Sequence, residues 1–464
     1  MTEVNNLAHF VTNRKFEQLS KEAVRELKIR LLDSLGCAIG ALEGAPIRRI
    51  KNQIEDFGGN PLSSLIAGVK TAPDRAALYN SALVRYLDYN DSYLAKGETC
   101  HPSDNIGSIL AAGEYADADG ERFLTALAIA YQVQCRLSDV APVRQKGFDH
   151  TVQGAYGCAA GVAYALNLDQ DKTANAIAIS ATAYNALRVT RTGNLSNWKG
   201  LAFPSTGWTS THSVFLAMKG VTGPEEVFEG NKGFKDSIAG DFEIDWSNED
   251  MERVTKTIIK KYNAEIHSQA TLEGLIELRN EKDFDPEDIE KIVLNTFDVA
   301  YHIIGGGEEG SKMNIRTKEE ADHSLPYMMA AAILDGNVLP AQYLPERILK
   351  EDIQTLLKKV EINEHKDYSD RFPNEEACDI TIHFKDGSKI EKNKIDYEGF
   401  HTRPASWDFI CEKFNHLAQD FADQNLRNEI ILMVQSFEQH SVQELMSLLS
   451  KVNSVASKDV VNYV

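Results

Sequence analysis

From residue 20 to about residue 220 the apolar side chains return every three or four positions and almost never alternate, a period that helices satisfy and strands do not. Ser20 stands where an N-cap belongs, and Val24, Leu27, Leu31 and Leu35 follow at helical spacing into the small-residue run Gly36-Cys37-Ala38-Ile39-Gly40-Ala41. Leu78, Leu83, Tyr86 and Leu87 mark a helix over 74–87. Residues 106–136 read as two helices about an Ala-Asp-Ala-Asp-Gly turn, and 151–187 as two more. The Ala and Gly residues from Tyr156 to Ala163 let helix axes approach closely. This part is therefore expected to be an all-helical core.

The pattern changes after about residue 262. Ile289–Thr296 and Lys359–Glu364 read as strands, and Asp379–Phe384 with Ser388–Glu391 flank Lys385-Asp386-Gly387 as a hairpin. A helix is expected over 318–334, ending at Gly336. These elements make a compact α+β unit. Beyond Gly399 the helical period returns at Trp407, Ile410, Cys411 and Phe414 and again over 426–450, so the tail is expected to pack back on the first region. A length of 464 residues suits two domains better than one.

The net charge of −20 argues against nucleic acid or an anionic membrane as partner, since no basic patch offsets it. No apolar run is long enough to span a bilayer, and the N-terminus lacks the basic and apolar regions of a signal peptide, so a soluble, cytoplasmic protein is expected. The six cysteines are widely separated with no C-x-x-C pair, which fits neither a zinc ribbon nor an iron–sulfur site. No H-E-x-x-H or similar short-spaced ligand pair occurs, and no metal or cofactor is expected.

Five polar stretches interrupt the apolar pattern. Residues 88–105 place Asp88, Asp91, Ser92, Glu98 and His101 between two helices that read as buried, with Pro102 and Ser103 opening the second. First-turn N–H groups lack intrahelical partners, so His101 should sit beside an anion site. Residues 143–151 repeat the arrangement with His150 before an apolar helix. Residues 187–200 carry Arg188, Arg191 and Lys199 among Gly, Thr, Ser and Trp, a composition that suits a shaped carboxylate-gripping loop better than a solvated face. Residues 260–269 bring Lys260, Lys261 and His267 to the seam between the helical and α+β regions, and residues 322–327 offer His323 and Tyr327 around Pro326. Acid–base chemistry on a small anion is the reaction class these groups suit.

Arg85-Tyr86-Leu87-Asp88-Tyr89-Asn90-Asp91-Ser92, His101-Pro102-Ser103-Asp104-Asn105, Gly147-Phe148-Asp149-His150, Arg191-Thr192-Gly193 to Trp198-Lys199-Gly200, and Tyr262-Asn263-Ala264-Glu265-Ile266-His267 together resemble the 2-methylcitrate dehydratase family, MmgE/PrpD, from about residue 20 to 415. The resemblance implies a mainly α protein: a large all-α helical domain formed by both chain ends (1–262 and 404–464) and a smaller inserted α+β lid domain (263–403). It also implies a homodimer. The family's site positions fall on Asp88, Ser92, His101, His150, Lys199, a lysine at 260 or 261, and Tyr327. Departures are the doubled lysine, Asn263 where proline is common, and Ser92 where threonine is common.

For such an enzyme a tricarboxylate, 2-methylcitrate, is the expected substrate. His101 and His150 would be the acid–base pair, Asp88 would hold the His101 tautomer, and Arg188, Arg191, Lys199 and Lys261 would clamp carboxylates. Tyr327 is a further catalytic candidate, and Ser92, Lys260 and His267 are candidate substrate-binding groups. The sequence leaves open which histidine is the base, which lysine faces the site, and whether citrate or cis-aconitate also reacts. Decarboxylation or epimerisation of a related acid, or tricarboxylate binding without turnover, are the alternatives.

Overall fold

The computed structural model describes residues 2–453, and these group into two compact units. The first takes the residues up to Arg188, Gly200–Thr257 and those from Ser406 on; the second takes Val189–Lys199 and Ile258–Ala405. The second unit thus begins five residues before the expected 263 and ends two after 403, and it also claims a short stretch far upstream. Residues 454–464 of the expected helical domain lie outside the described residues. Among those described, no helix is long and apolar enough to cross a membrane.

The first unit is mainly helical, as its period requires. Helix Lys21–Gly40 starts where the Ser20 side chain accepts from the Ala23 N–H, Gly120–Val140 starts on Asp119, and Gln170–Ala183 starts on Asp169. Gly157 and Gly161 of helix Thr151–Ala165 meet the backbone of Gly120–Val140, since a Cβ on either would lie 2.8 or 2.9 Å from the Ala130 or Ala126 carbonyl oxygen. The all-helical expectation is corrected in two places. Strands β1 (Ser63–Ser64) and β2 (Lys70–Thr71) pair antiparallel, as do β3 (Tyr93–Ala95) and β4 (Glu98–Cys100). The second hairpin lies inside the polar stretch 88–105 and turns at Lys96 and Gly97.

Helices Pro73–Tyr86 and Ile106–Tyr115 deliver the chain into and out of that stretch, and they cross backbone to backbone at Gly107. A Cβ there would come within 2.3 Å of the Ser81 nitrogen. Neither backbone can yield without moving an end of the loop. Gly107→Ala is therefore expected to destabilise by at least about 1–3 kcal/mol, seen as a lowered urea midpoint.

The second unit holds one four-stranded sheet in the order β6-β5-β7-β8, from β5 (Ile289–Thr296), β6 (Val360–Glu364), β7 (Cys378–Phe384) and β8 (Lys389–Lys394). β5 pairs parallel with β6 and antiparallel with β7, and Gly387 takes a positive φ of 85° in the β7–β8 turn. β7 alternates buried and half-buried positions, the mark of a one-sided sheet. Helix Gln269–Glu281 covers β7 and β8, with Gly274 against the Ile380 and Lys394 side chains. The helix expected over 318–334 is two, Lys318–Ala321 and Leu325–Asp335, broken where Ser324 caps the second; Gly336 closes it in the left-handed region.

Candidate active site

Residues 88–105 are no surface loop: apart from Leu94, Lys96, Gly97 and Thr99 every residue is buried. A buried polar chain must satisfy its own groups. Arg85, 1% exposed at the end of its helix, pairs with Asp88, reaches Asn90 Oδ1 at 3.4 Å and lies 3.6 Å from Asp104 Oδ2. Asn90 donates to Ser103 Oγ and Asp104 Oδ1, both at 2.8 Å. Asp88 has φ of 56°, so the chain reverses sharply there, and Arg85 ties the reversal down. From the far end of the sequence Lys413 donates to the Tyr89 carbonyl (2.8 Å), pairs with Asp33 (2.6 Å) and stands over the Tyr89 ring.

His101 is held at Nδ1. Its Nδ1 lies 2.8 Å from the Asp91 carbonyl oxygen and 3.0 Å from Ser92 Oγ. A carbonyl only accepts, so Nδ1 carries the proton, and in the neutral ring the lone pair is on Nε2. At Nδ1 a tautomer-holding contact comes from the Asp91 carbonyl. The anion site expected at the helix start is also taken: the Ser103 N–H donates to Asp91 Oδ1 at 3.1 Å. The His150 ring stands edge-on to His101 with centroids 5.3 Å apart, and Asp149 Oδ1 is 3.7 Å from His150 Nε2. The two histidine-bearing helix starts therefore meet. Cys100 faces away from this pair, into a cluster with Tyr93, Ala95 and Cys135.

The stretch 143–151 is fixed by Glu98, whose carboxylate accepts from the Val143 and Arg144 N–H groups at 2.9 and 3.0 Å. Burial pushes the Glu98 carboxyl upward, while those N–H groups and Arg188 oppose the rise. The Arg188 N–H donates to the Gly147 carbonyl, and Phe148 bridges Leu187. Arg188 thus joins the first unit beside the His150 stretch, and Arg191, buried at the end of the same 3₁₀ turn, belongs to the second.

In the second unit the cations gather on Asp322. Lys199 Nζ (2.8 Å), Lys318 Nζ (2.7 Å) and His323 Nδ1 (2.9 Å) surround this fully buried carboxylate. Burial would raise its carboxyl, but these three hold it far below the ordinary range. Glu265 is the second such centre, with His267 Nδ1 at 2.7 Å. Burial again opposes ionisation, yet His267, His323 and Lys260 bring the Glu265 carboxyl down to about 2. A depressed carboxyl gives stability that is complete above its unfolded value near 4.5 and is lost as pH falls toward 2. Glu265→Gln is therefore expected to flatten the decline of the unfolding midpoint between pH 5 and pH 2.

The doubled lysine divides. Lys260 is fully buried and acts on Glu265, whereas Lys261 is bound to Glu273 (3.0 Å) and Glu398 (2.9 Å) in a lattice that includes Lys394 and Arg403. Tyr327 is buried, and its hydroxyl donates to the Gln342 carbonyl, near Asp335 and Arg347. That places it with a different group from His267 and Lys199. Gly305-Gly306-Gly307-Glu308-Glu309-Gly310 spells G-x-G-x-x-G but follows helix Asp298–Ile304 rather than a strand, so it lacks the context of a dinucleotide loop.

Sequence reasoning gave no role to Arg85, Asn90 and Asp91 and did not single out Tyr131, the groups that hold the loop. Arg85 three residues before Asp88 at a helix end was the one local signal. The family model for the MmgE/PrpD N-terminal domain matches residues 5–247, and that for the MmgE/PrpD C-terminal domain matches 262–439. The chain is 28% identical over 482 residues to 2-methylcitrate dehydratase of Escherichia coli (strain K12), covering 96% of both chains. It is 25% identical to the mitochondrial 2-methylcitrate dehydratase of Yarrowia lipolytica (97% of this chain, 90% of the other). To the cis-aconitate decarboxylase of Mus musculus it is also 25% identical, over 93% and 90%.

Proposed function

The chain belongs to the MmgE/PrpD family, and on that footing we propose that it is a hydro-lyase that dehydrates 2-methylcitrate to 2-methyl-cis-aconitate by acid–base catalysis without a cofactor. The observation that carries this reading is the buried His101–His150 pair, one ring of which is fixed with its lone pair on Nε2. The reaction removes the proton on the methyl-bearing carbon, α to a carboxylate, and expels the neighbouring hydroxyl as water. Negative charge spreads onto the carboxylate and needs cations; the hydroxyl leaves only if protonated. His101 Nε2 is the base. His150, with Asp149 as counter-charge, is the acid.

Lys199, Lys260, Arg188 and Arg191 take the substrate carboxylates, while Lys261 is bound to Glu273 and Glu398. Ser92 and His267 remain binding candidates, and Asp88 and Tyr327 act in support of the site. Lys199→Met is expected to raise KM roughly tenfold or more, the cost of one charge-assisted contact, with a smaller change in kcat. The protein acts as a homodimer, which sedimentation would report as twice the chain mass.

Proton NMR of the purified protein offered 2-methylcitrate, citrate and cis-aconitate in parallel tests the reading. Loss of the 2-methylcitrate C2 proton with appearance of the alkene supports it, and turnover should survive exhaustive chelation. Likeness to the mouse decarboxylase favours a second reading, decarboxylation of a related acid; carbon dioxide released from cis-aconitate would establish that instead. Tight tricarboxylate binding in calorimetry without turnover would reduce the protein to a binding function.

A further inference from the structure

Asp91 joins two parts of the 88–105 stretch, one through its backbone and one through its side chain. Its carbonyl holds His101 Nδ1 at 2.8 Å. Its carboxylate, fully buried, accepts from the Ser103 N–H (3.1 Å) through Oδ1 and from the Tyr131 hydroxyl (2.7 Å) through Oδ2. Tyr131 lies in helix Gly120–Val140, is itself fully buried, and reaches the loop from across the unit. Asp91 therefore spans from a rigid helix to the residue on each side of His101 in space: the carbonyl at the ring and the first turn that follows it.

We infer that Tyr131 and Asp91 form a positioning pair that sets the His101 tautomer, making Nε2 rather than Nδ1 the basic nitrogen. A peptide carbonyl points at a ring nitrogen only while its own residue keeps its φ and ψ, and an aspartate tethered at both carboxylate oxygens has little freedom to rotate its peptide planes. Ser92 Oγ at 3.0 Å cannot enforce the tautomer by itself, because a hydroxyl can donate to Nδ1 as readily as accept from it. Without the tether the ring is free to adopt the other tautomer, with the hydroxyl donating to Nδ1 and the proton moved to Nε2. Catalysis by that form fails, since the nitrogen facing the reaction then carries a proton already. Loss of the correct tautomer is costly where an imidazole is the base.

The inference rests on the assignment of His101 as base, so the test has one readout that needs no substrate. Histidine is labelled with nitrogen-15, and the two ring nitrogen shifts of His101, assigned with His101→Gln, are recorded for the wild type, Tyr131→Phe and Asp91→Asn. Both variants keep the shape of the buried side chain, and circular dichroism checks their folding. The wild type is expected to show the Nδ1–H form, and both variants a mixture of tautomers. In parallel, kcat on 2-methylcitrate is expected to fall roughly 10- to 100-fold with KM changed less than about twofold. A His101 spectrum that stays in the Nδ1–H form in both variants overturns the inference. So does a shifted tautomer with kcat unchanged, since the pair would then position nothing the reaction uses. If the wild type turns over none of the three acids while the tautomer still shifts, the proposed function fails and the positioning stands.

Discussion

His101→Gln is expected to lower kcat on 2-methylcitrate by about 10²–10⁴-fold, the usual contribution of a positioned base, with the urea midpoint nearly unchanged. Glutamine keeps the side chain polar and hydrogen-bonding while the basic nitrogen is gone. His150→Gln should cost a comparable factor by a different route. Deuterium exchange separates them. In D₂O an enzyme with its base intact washes deuterium into the C2 position even when expulsion of the hydroxyl is blocked, so His150→Gln should retain exchange and His101→Gln should lose it. Full turnover by His101→Gln removes His101 from the mechanism. Exchange retained by His101→Gln and lost by His150→Gln reverses the two roles.

The helices and the four-stranded sheet were legible because long periodic segments announce themselves: Ile289–Thr296 and Lys21–Gly40 sit where their apolar spacing puts them. The two small hairpins of the first unit were not. Strands of two or three residues are too short for alternation to register, even though β3 and β4 each run buried, half-buried, buried. The same holds for the candidate site. His101 and His150 stood out as polar groups at the edges of apolar helices, and their meeting follows from the parallel construction of the two helix starts. What fixes them was illegible: a carbonyl contact has no residue signature, and Lys413 reaches the Tyr89 carbonyl from 324 positions away. Nor could spacing separate Lys260 from Lys261. Adjacent side chains on an extended segment point apart, and only the fold decides that Lys260 acts on Glu265 and Lys261 on Glu273.

Arg85→Met is expected to destabilise the first unit by about 3–5 kcal/mol, the cost of removing one partner from a buried ion group. The guanidinium stands among three acceptors, Asp88, Asp104 and Asn90, and both carboxylates are buried, Asp88 3% exposed and Asp104 not at all. Methionine fills the same volume, so the cavity contribution is small and the measured loss reports charge. The two buried carboxylates would then lose the guanidinium they share. Their repulsion acts on the Asp88 turn, so the loop that carries Ser92 and His101 should open before the helices unfold. Urea denaturation at pH 7.5 measures the loss. The exposed pair Lys366–Asp370 provides the contrast: Lys366→Met there should change nothing measurable, since solvent already screens it. A loss at Arg85 no larger than that control would mean that the three acceptors are satisfied by something other than Arg85 and that the loop is not held from its helix.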